Sequence, residues 1–494
     1  MVKKKKLEIA VFLCGAVVMI FELVGSRVLA PYLGISIFVW TSLIGVILGS
    51  LSIGYWLGGM LADKNPSLKI FSTLVFLSGA SIFFTIIVKE PALHYFQGFF
   101  NLELSSFISS LILFSPASIF MGMISPYAVK LKMDSLNYSG ATVGNLYALS
   151  TVGSIAGTFL AGFYLIPNFG SLKILIILAI LLGFIAIYIY PKSLIKTKVF
   201  FILLLLSSLI FVIYTGSLEK KSGLIDTDTK YSRVFIYPGV DAKTKRKTLN
   251  LSFGPYGTQS AIFLEGEDDL VFDYTKYYRL AKYFAPKLKK SLIIGGAGYT
   301  YPRDYLKKFP EADLDVVEID EKLTELAKKY FRLKDNPRLK IFHEDGRAFL
   351  NKTGNKYDAI FIDAFCSLYA IPYQLTTKEA VGKTYDALNA GGVAIVNIVS
   401  SIEGPSGEFL RAEYATYKSV YPQVYLFPVR KASKGEVGNI ILVGLKSNAI
   451  PSFQSDDSEL NEYLKNLYKE EIKTDMPVLT DDFAPVDYYA RKAV

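Results

Sequence analysis

Glycines and carboxylates recur in the second half of the chain at the points where apolar runs end. The run 291–294 leads into a glycine-rich turn at 295–298, whose small residues let a ligand approach the main chain closely. Glu318 follows Gly295 by 23 residues, near the spacing of a carboxylate that binds ribose hydroxyls. The turn and this carboxylate together predict a nucleoside site, and its members would be Gly295, Gly296, Gly298 and Glu318.

Two further carboxylates follow apolar runs in the same region. Asp345 directly precedes Gly346, so it could accept a hydrogen bond from an exocyclic amine while the glycine leaves room for a flat ring. The alternative is that Asp345 only caps the helix that follows. Asp363 ends the run 357–362, and a carboxylate at that point is placed to act as a general base.

Elements that position these residues are predicted from the alternation of strand-length and helix-length runs. This alternation is typical of a doubly wound, mostly parallel sheet, in which ligands bind beyond the carboxyl ends of the strands. Two late runs, 424–428 and 439–444, predict an antiparallel hairpin at one edge. The predicted parallel strands are 291–296, 314–320, 339–343, 357–363 and 392–399. A small antiparallel sheet is predicted ahead of them from runs 232–237, 248–253 and 259–264.

The first half of the chain is strongly apolar. Hydrophobic residues make up 51% of the 494 residues, and the mean hydropathy is +0.34. These values exclude a disordered or fibrous chain and are too apolar for an ordinary soluble protein of this length. Seven runs approach the roughly 20 residues that a bilayer requires. They are residues 7–29, 37–61, 70–88, 105–128, 142–166, 171–190 and 198–216.

Charge is divided unevenly between the halves. Of the net charge of +10, residues 1–225 carry +9 and the remainder carries +1. Basic residues between apolar spans indicate membrane orientation, so this excess gives no reason to expect a nucleic-acid partner. A cytoplasmic N-terminus puts 11 lysines inside, against Lys89, Lys173 and Arg27 outside. We expect a multi-pass protein of the cell membrane with a cytoplasmic second half, yet seven spans would leave that half outside.

Polar and small residues within the apolar spans allow two interpretations each. Glycines recur in the second and fifth spans, where they either let helices pack closely or line a transport path. Glu22 and Arg27 lie within or at the end of the first span. They either form a structural pair or belong to a polar pathway.

Several kinds of site are excluded by residue type. His94 and His343 are the only histidines, so a multi-histidine metal site is not expected. Cys14 and Cys366 fall in different halves, and we expect no disulfide between them. No glycine-rich phosphate loop ending in Lys-Ser or Lys-Thr occurs, which argues against an NTPase.

Residues from about 226 to 450 resemble spermidine synthase, a polyamine aminopropyltransferase. The attached spans resemble the membrane-fused members of that family. The fold implied is a multi-span α-helical membrane domain followed by an α/β Rossmann-like (methyltransferase-type) domain with a small N-terminal β subdomain. We expect the membrane domain at 1–218, the small β subdomain at 226–275 and the Rossmann-like domain at 276–494. The strings that carry the resemblance are Gly257-Thr258-Gln259-Ser260, Phe272-Asp273-Tyr274, Gly295-Gly296-Ala297-Gly298, Val317-Glu318-Ile319-Asp320, Asp345-Gly346-Arg347 and Asp363-Ala364-Phe365.

The resemblance implies transfer of an aminopropyl group from decarboxylated S-adenosylmethionine, as co-substrate, to putrescine or a related amine. Methylthioadenosine would be released, and no prosthetic group is implied. Asp363 would be the base and Tyr274 would orient the attacking amine. The partners implied are the lipid bilayer, the amine and a second copy in a homodimer through the catalytic domain. The implied nucleoside contacts are Gln259, Glu318, Asp345 and Gly346.

Two positions depart from the family pattern. Gly298 and Cys366 stand where the family usually has aspartates that bind amines. Asp273, Asp304 and Glu344 are candidates to replace them. Two alternatives therefore stay open: an S-adenosylmethionine-dependent methyltransferase or other nucleoside-binding enzyme, and a polyamine transporter or sensor. The tail 479–489, rich in acids and aromatics, either covers the acceptor site or is structural.

Overall fold

A computed structural model describes residues 2–97, 99–133, 139–191, 223–254, 257–266, 268–364, 371–430 and 435–493. The chain forms two compact units, residues 1–234 and 235–494.

The first unit contains six long apolar helices in its described residues. Each is long and apolar enough to cross a membrane. These helices coincide with the first six predicted apolar runs, whereas the predicted span 198–216 lies outside the described residues. The helices are α1 (Val2–Leu33), α2 (Ile37–Lys64), α3 (Leu68–Gln97), α4 (Leu102–Lys132), α5 (Ser139–Leu160) and α6 (Ser171–Ile189). A π-helical turn (Ala161–Leu165) and the short helix Ile166–Asn168 follow α5.

Glycines bring some of these helices into close contact. A Cβ atom on Gly58 of α2 would lie 2.6 Å from the Met123 Cα of α4, and one on Gly157 of α5 would lie 2.7 Å from the Ala16 Cα of α1. Such approaches are possible only for a residue without a side chain. The packing interpretation is confirmed at these positions, while a Cβ on Gly45 would meet no described atom within 4 Å.

Polar contacts mark the two ends of this helix bundle. At one end, Lys6 donates to the Tyr188 carbonyl oxygen (2.7 Å), and Lys132 pairs with Glu8 (2.6 Å). Arg27 lies 21 residues further along α1, which is about 30 Å of helix. Its guanidinium donates to the Thr229 carbonyl oxygen (2.7 Å).

The segment that follows the bundle is held at this second end by further charges. Asp228 accepts from the Ser171 main-chain amide at 3.3 Å, where α6 begins. Arg233 pairs with Asp226 (2.5 Å) and with Glu90 near the end of α3 (3.4 Å). Residues 226–233 therefore lie at the end of the bundle opposite Lys6.

The second half of the chain contains the predicted sheets. The small sheet has the order β1-β2-β3-β4, and the main sheet has the order β10-β11-β9-β8-β5-β6-β7. β5, β6, β7, β8 and β9 pair in parallel, while β11 pairs antiparallel with both β9 and β10. The doubly wound sheet and its edge hairpin are confirmed. The strands are β1 (Ile225–Asp228), β2 (Arg233–Val240), β3 (Lys247–Ser252), β4 (Thr258–Phe263), β5 (Lys290–Ile294), β6 (Asp313–Val317), β7 (Leu339–Phe342), β8 (Tyr357–Ile362), β9 (Leu388–Ser400), β10 (Gln423–Pro428) and β11 (Gly438–Leu445).

Helices cover the main sheet and begin at side-chain caps. Asp320 accepts from the Lys322 amide at the start of α8, and Thr377 accepts from the Ala380 amide at the start of α10. Asp320 is therefore the N-cap of α8. The longer helices of this half are α7 (Thr300–Lys308), α8 (Glu321–Tyr330), α9 (Gly346–Lys352), α10 (Lys378–Ala387) and α11 (Glu408–Lys418). Shorter helical segments are Asp273–Lys276, Tyr277–Leu280, Ala281–Phe284, Tyr373–Leu375, Pro405–Gly407, Ser458–Leu464, Val486–Ala490 and Arg491–Ala493.

The C-terminal tail packs against this core. Leu479 is fully buried, its amide donates to the Thr416 hydroxyl (2.9 Å), and its carbonyl oxygen accepts from the Lys378 amide (2.8 Å). Asp481 pairs with Arg347 (2.7 Å). These contacts support the structural interpretation of the tail.

Glu413 on α11 is buried, and its Oε1 has no hydrogen-bond partner among the described residues. Burial raises the pKa of this carboxyl well above its ordinary value, so the folded chain holds its proton. The unfolded chain releases that proton above about pH 4.3 and then binds fewer protons than the folded chain. Stability must therefore fall as pH rises, by up to about 1.4 kcal/mol per pH unit, until the folded pKa is reached.

We predict that Glu413→Gln removes this fall in stability with rising pH. The variant should therefore unfold at a higher temperature than the wild type. The gain should increase as pH rises above the ordinary carboxyl pKa of about 4.3, until the raised pKa of the folded chain is reached. Thermal unfolding of the purified full chain measures it. Glu462→Gln, on an exposed side chain, is the control and should show no such gain. An equal pH slope in Glu413→Gln and the wild type would contradict the prediction.

Candidate nucleoside and proton-transfer site

The parallel register of four strands aligns the predicted site residues along one edge of the sheet. Ile294 at the end of β5 pairs with Val317 of β6 and Ile362 of β8, and Ile362 pairs with Val396 of β9. The residues that come next in each strand or loop are therefore neighbours. They are Gly295, Glu318, Asp363 and Asn397.

The glycine turn is compact because two of its members have no room for a side chain. Gly295 has φ +102°, and a Cβ there would collide with the Asp363 carbonyl oxygen. A Cβ on Gly298 would lie 2.6 Å from the Ser260 Cβ, and the Ser260 hydroxyl accepts from the Gly298 amide (3.0 Å). A carboxylate in place of Gly298 would therefore require Ser260 to move.

Glu318 holds this turn through main-chain hydrogen bonds. Its Oε2 accepts from the amides of Gly296 (2.8 Å) and Ala297 (2.9 Å), and its Oε1 accepts from the Asp320 amide (2.9 Å). Burial raises the pKa of Glu318, and these three donors oppose the rise. The carboxylate predicted to bind ribose thus fixes the shape of the turn, and its ribose contact stays a prediction.

Asp345 and Gly346 lie at the end of the neighbouring strand. Asp345 accepts from the Ala348 amide (2.9 Å) and caps α9, as the alternative interpretation predicted. A Cβ on Gly346 would lie 2.6 Å from the Ile294 Cγ2, so this glycine permits close packing against β5. Gln259 lies half-buried in β4, next to Ser260.

Asp363 and Tyr274, predicted to act together, are in contact. The Tyr274 hydroxyl donates to Asp363 Oδ2 at 3.3 Å. The Asn397 amide donates to Oδ1 at 3.2 Å, and Asn439 donates in turn to the Asn397 oxygen at 2.9 Å. Burial raises the pKa of Asp363, and the Asn397 amide and the nearby hydroxyls of Tyr278 and Tyr274 oppose the rise. A carboxylate in this setting can accept a proton more readily than a solvated aspartate.

Sequence reasoning missed Asn397 and Tyr278. Asn397 is a buried amide in the otherwise apolar stretch 393–399, and a lone polar residue in a buried strand is a signal that could have found it. Tyr278 gave no such signal, because tyrosines are common in this region of the sequence.

Carboxylates suggested as replacements for the two missing aspartates are engaged with basic side chains. Cys366 itself lies outside the described residues. The pairs are Asp304 with Arg279 (2.7 Å), Asp273 with Lys276 (3.4 Å) and Glu344 with Lys352 (2.6 Å). In each pair the basic side chain would compete with an incoming amine for the carboxylate.

Comparison with known proteins finds similarity in this half of the chain. Residues 277–457 match the spermine/spermidine synthase domain. A polyamine aminopropyltransferase from Vibrio vulnificus is 30% identical over 189 residues, which are 38% of this chain and 60% of that protein. Polyamine aminopropyltransferase 2 from Aquifex aeolicus is 22% identical over 397 residues, 76% of each chain.

Solved structures of related proteins also align with this chain. A probable spermidine synthase from Corynebacterium glutamicum is 22% identical, covers 48% of this chain and 83% of its own, and has a TM-score of 0.40. The family model matches 277–457 and thus about a third of the chain. This chain spans less than two thirds of the Vibrio relative.

We predict that Gly295→Ala destabilises the protein by about 2–4 kcal/mol, because it adds strain at positive φ and a collision with the Asp363 carbonyl. Methylthioadenosine binding should be lost as well. Thermal unfolding and calorimetric titration measure the two effects. Gly354→Ala is the control, since a Cβ there meets no described atom within 4 Å. Equal behaviour of the two variants would contradict the assigned role of Gly295.

Proposed function

We propose that the protein is a membrane-bound polyamine aminopropyltransferase of the spermidine synthase type. It transfers the aminopropyl group of decarboxylated S-adenosylmethionine to putrescine or a related amine and releases methylthioadenosine. The contact of Asp363 with Tyr274 and Asn397, directly beside the glycine turn, is the observation that carries this proposal. The family of residues 277–457 supports it.

The proposed domains keep their predicted bounds, 1–218, 226–275 and 276–494, and the catalytic half forms a homodimer. The nucleoside lies over the strand ends, with no prosthetic group and no resident metal. Its proposed contacts are Gln259, Gly295, Gly296, Gly298, Glu318, Asp345 and Gly346.

Asp363 is the proposed base of the reaction. The acceptor arrives as an ammonium ion and must lose a proton before its nitrogen can attack. Asp363 takes that proton while Tyr274 orients the nitrogen. A nitrogen–carbon bond then forms, the carbon–sulfur bond breaks, and the sulfonium becomes the neutral thioether of methylthioadenosine. The base must be ionised, so activity should rise with pH through the raised pKa of Asp363.

Gly298 favours a second candidate. Its packing against Ser260 provides no carboxylate for the aminopropyl amine of the donor. An S-adenosylmethionine-dependent methyltransferase needs no such group, so methyl transfer is the competing activity on this sheet.

We predict methylthioadenosine release that depends on an added diamine when the purified chain is incubated with decarboxylated S-adenosylmethionine. Asp363→Asn should lower kcat about 10²–10⁴-fold and leave nucleoside binding largely intact. Asp386→Asn, on an exposed side chain of α10, is the control. Chromatographic detection of methylthioadenosine across a panel of amines measures release. Methyl transfer from S-adenosylmethionine, with no release for any amine, would overturn the proposal, as would full activity of Asp363→Asn.

We further propose that the first unit lies in the cell membrane with its lysine-rich end in the cytoplasm. The charge bias of the apolar half supports this orientation. Residues 226–233 are held at the opposite end of the bundle by Arg27, Ser171 and Glu90. Because the chain continues from this segment into the catalytic half, our proposal is that this half lies outside the cytoplasm. This proposal replaces the expectation of a cytoplasmic catalytic half, and both substrates would then reach the site from outside.

Labelling with a membrane-impermeant maleimide tests the orientation. In a Cys366→Ser background, where Cys14 is buried, Lys230→Cys should react in intact cells. Lys64→Cys, at the lysine-rich end, is the matched control and should react only after permeabilisation. The reverse pattern would overturn the proposed side of the catalytic half.

A further inference from the structure

Tyr278 is a buried phenol within the proposed proton-transfer site. It lies in the helical turn Tyr277–Leu280 and is 0% exposed. Its ring centroid lies 6.0 Å from that of Tyr274 and 5.5 Å from that of Phe361, two residues before Asp363. The ring is thus packed among the rings of Tyr274, Phe361 and Tyr301, close to the residues of the proposed proton-transfer site.

The hydroxyl of Tyr278 is the unusual part of this arrangement. It has no hydrogen-bond partner of ordinary geometry among the described residues, although buried polar groups are almost always satisfied. The Asp363 carboxyl lies beside it and, with burial, raises the pKa of Tyr278 well above its ordinary value. The phenol therefore keeps its proton and can act only as a donor towards the carboxylate.

Neighbouring buried tyrosines differ in this respect. The Tyr301 hydroxyl donates to the Tyr278 carbonyl oxygen (3.3 Å), and the Tyr305 hydroxyl donates to Ser291 (2.9 Å). A phenylalanine would fill the volume of the Tyr278 ring equally well. Packing alone therefore does not explain why residue 278 carries a hydroxyl.

Tyr274 and Tyr278 are placed for different tasks. Tyr274 is half-exposed and bonds Asp363 at 3.3 Å, so its hydroxyl can turn to an incoming nitrogen. Asp363 Oδ2 would then lose a donor just as it receives a proton. Tyr278, held by the rings around it, remains beside the carboxylate throughout.

We propose that Tyr278 is a positioning residue that donates to Asp363 when Tyr274 bonds the acceptor nitrogen. This inference rests on the proposed function, because it assigns a role within the same site. Tyr278 does not touch the substrate. It keeps the carboxylate ionised and aimed until the ammonium proton moves to it.

The acid limb of the pH–rate profile tests this role. Tyr278→Phe removes a donor that favours the ionised form of Asp363 in the acceptor complex, so the acid limb of kcat should move up by about one pH unit. The KM for the nucleoside and the rate at high pH should stay near the wild-type values. Tyr301→Phe removes a hydroxyl from the same cluster without facing Asp363 and should leave the limb in place. An unmoved limb in Tyr278→Phe, or an equal shift in Tyr301→Phe, would overturn the proposal.

A second measurement separates this inference from the proposed activity. Absence of turnover in the wild type counts against the aminopropyltransferase and leaves the role of Tyr278 to be decided by titration. Carbon-13 NMR of aspartate-labelled protein, with Asp363→Asn to assign the signal, reports the protonation of Asp363 directly. We expect Tyr278→Phe to raise that pKa and Tyr301→Phe to leave it unchanged. Identical titrations in wild type and Tyr278→Phe would disprove the positioning role, whatever reaction the site performs.

Discussion

Parallel pairing of β5 with β6 and β8 is the constraint on which the rest of the catalytic half depends. It places the ends of the strands at Ile294, Val317 and Ile362 side by side, so the groups that follow them converge. The glycine turn can approach β8 only because Gly295 lacks a side chain. Glu318 then holds the turn from the next strand. The site is therefore a consequence of strand register and of the small residues that the register requires.

Asp363, the proposed base, lies in an environment that disfavours its ionised form and accepts hydrogen bonds that favour it. The protein around Asp363 disfavours its ionised form, while Asn397 and Tyr274 favour it. The balance lets one carboxyl accept a proton and release it again. Asn439, behind Asn397, fixes the orientation of the amide that makes one of these bonds. The proposed proton transfer thus depends on strands that are distant in sequence as well as on Asp363 itself.

The first unit carries its charged residues mainly near the ends of its long apolar helices. Its glycines allow helices to meet at main-chain distance, where apolar surface alone gives no preference between lipid and protein. Arg27 and Glu90, near the ends of their helices, bind the segment that leads into the catalytic half. These charges hold residues 226–233 at one end of the helix bundle.

The sequence alone determined the apolar spans, the order of strands and helices, and the carboxylates and glycines at the strand ends, because these follow from local periodicity and residue type. It also indicated the edge hairpin through the short spacing of 424–428 and 439–444. Only the tertiary structure decided which interactions those residues make. Asp345 caps a helix, Glu318 bonds the glycine turn, and Asn397 and Tyr278 join Asp363 from strands and turns far along the chain. Such partners are fixed by register and packing between distant segments, which no local pattern encodes.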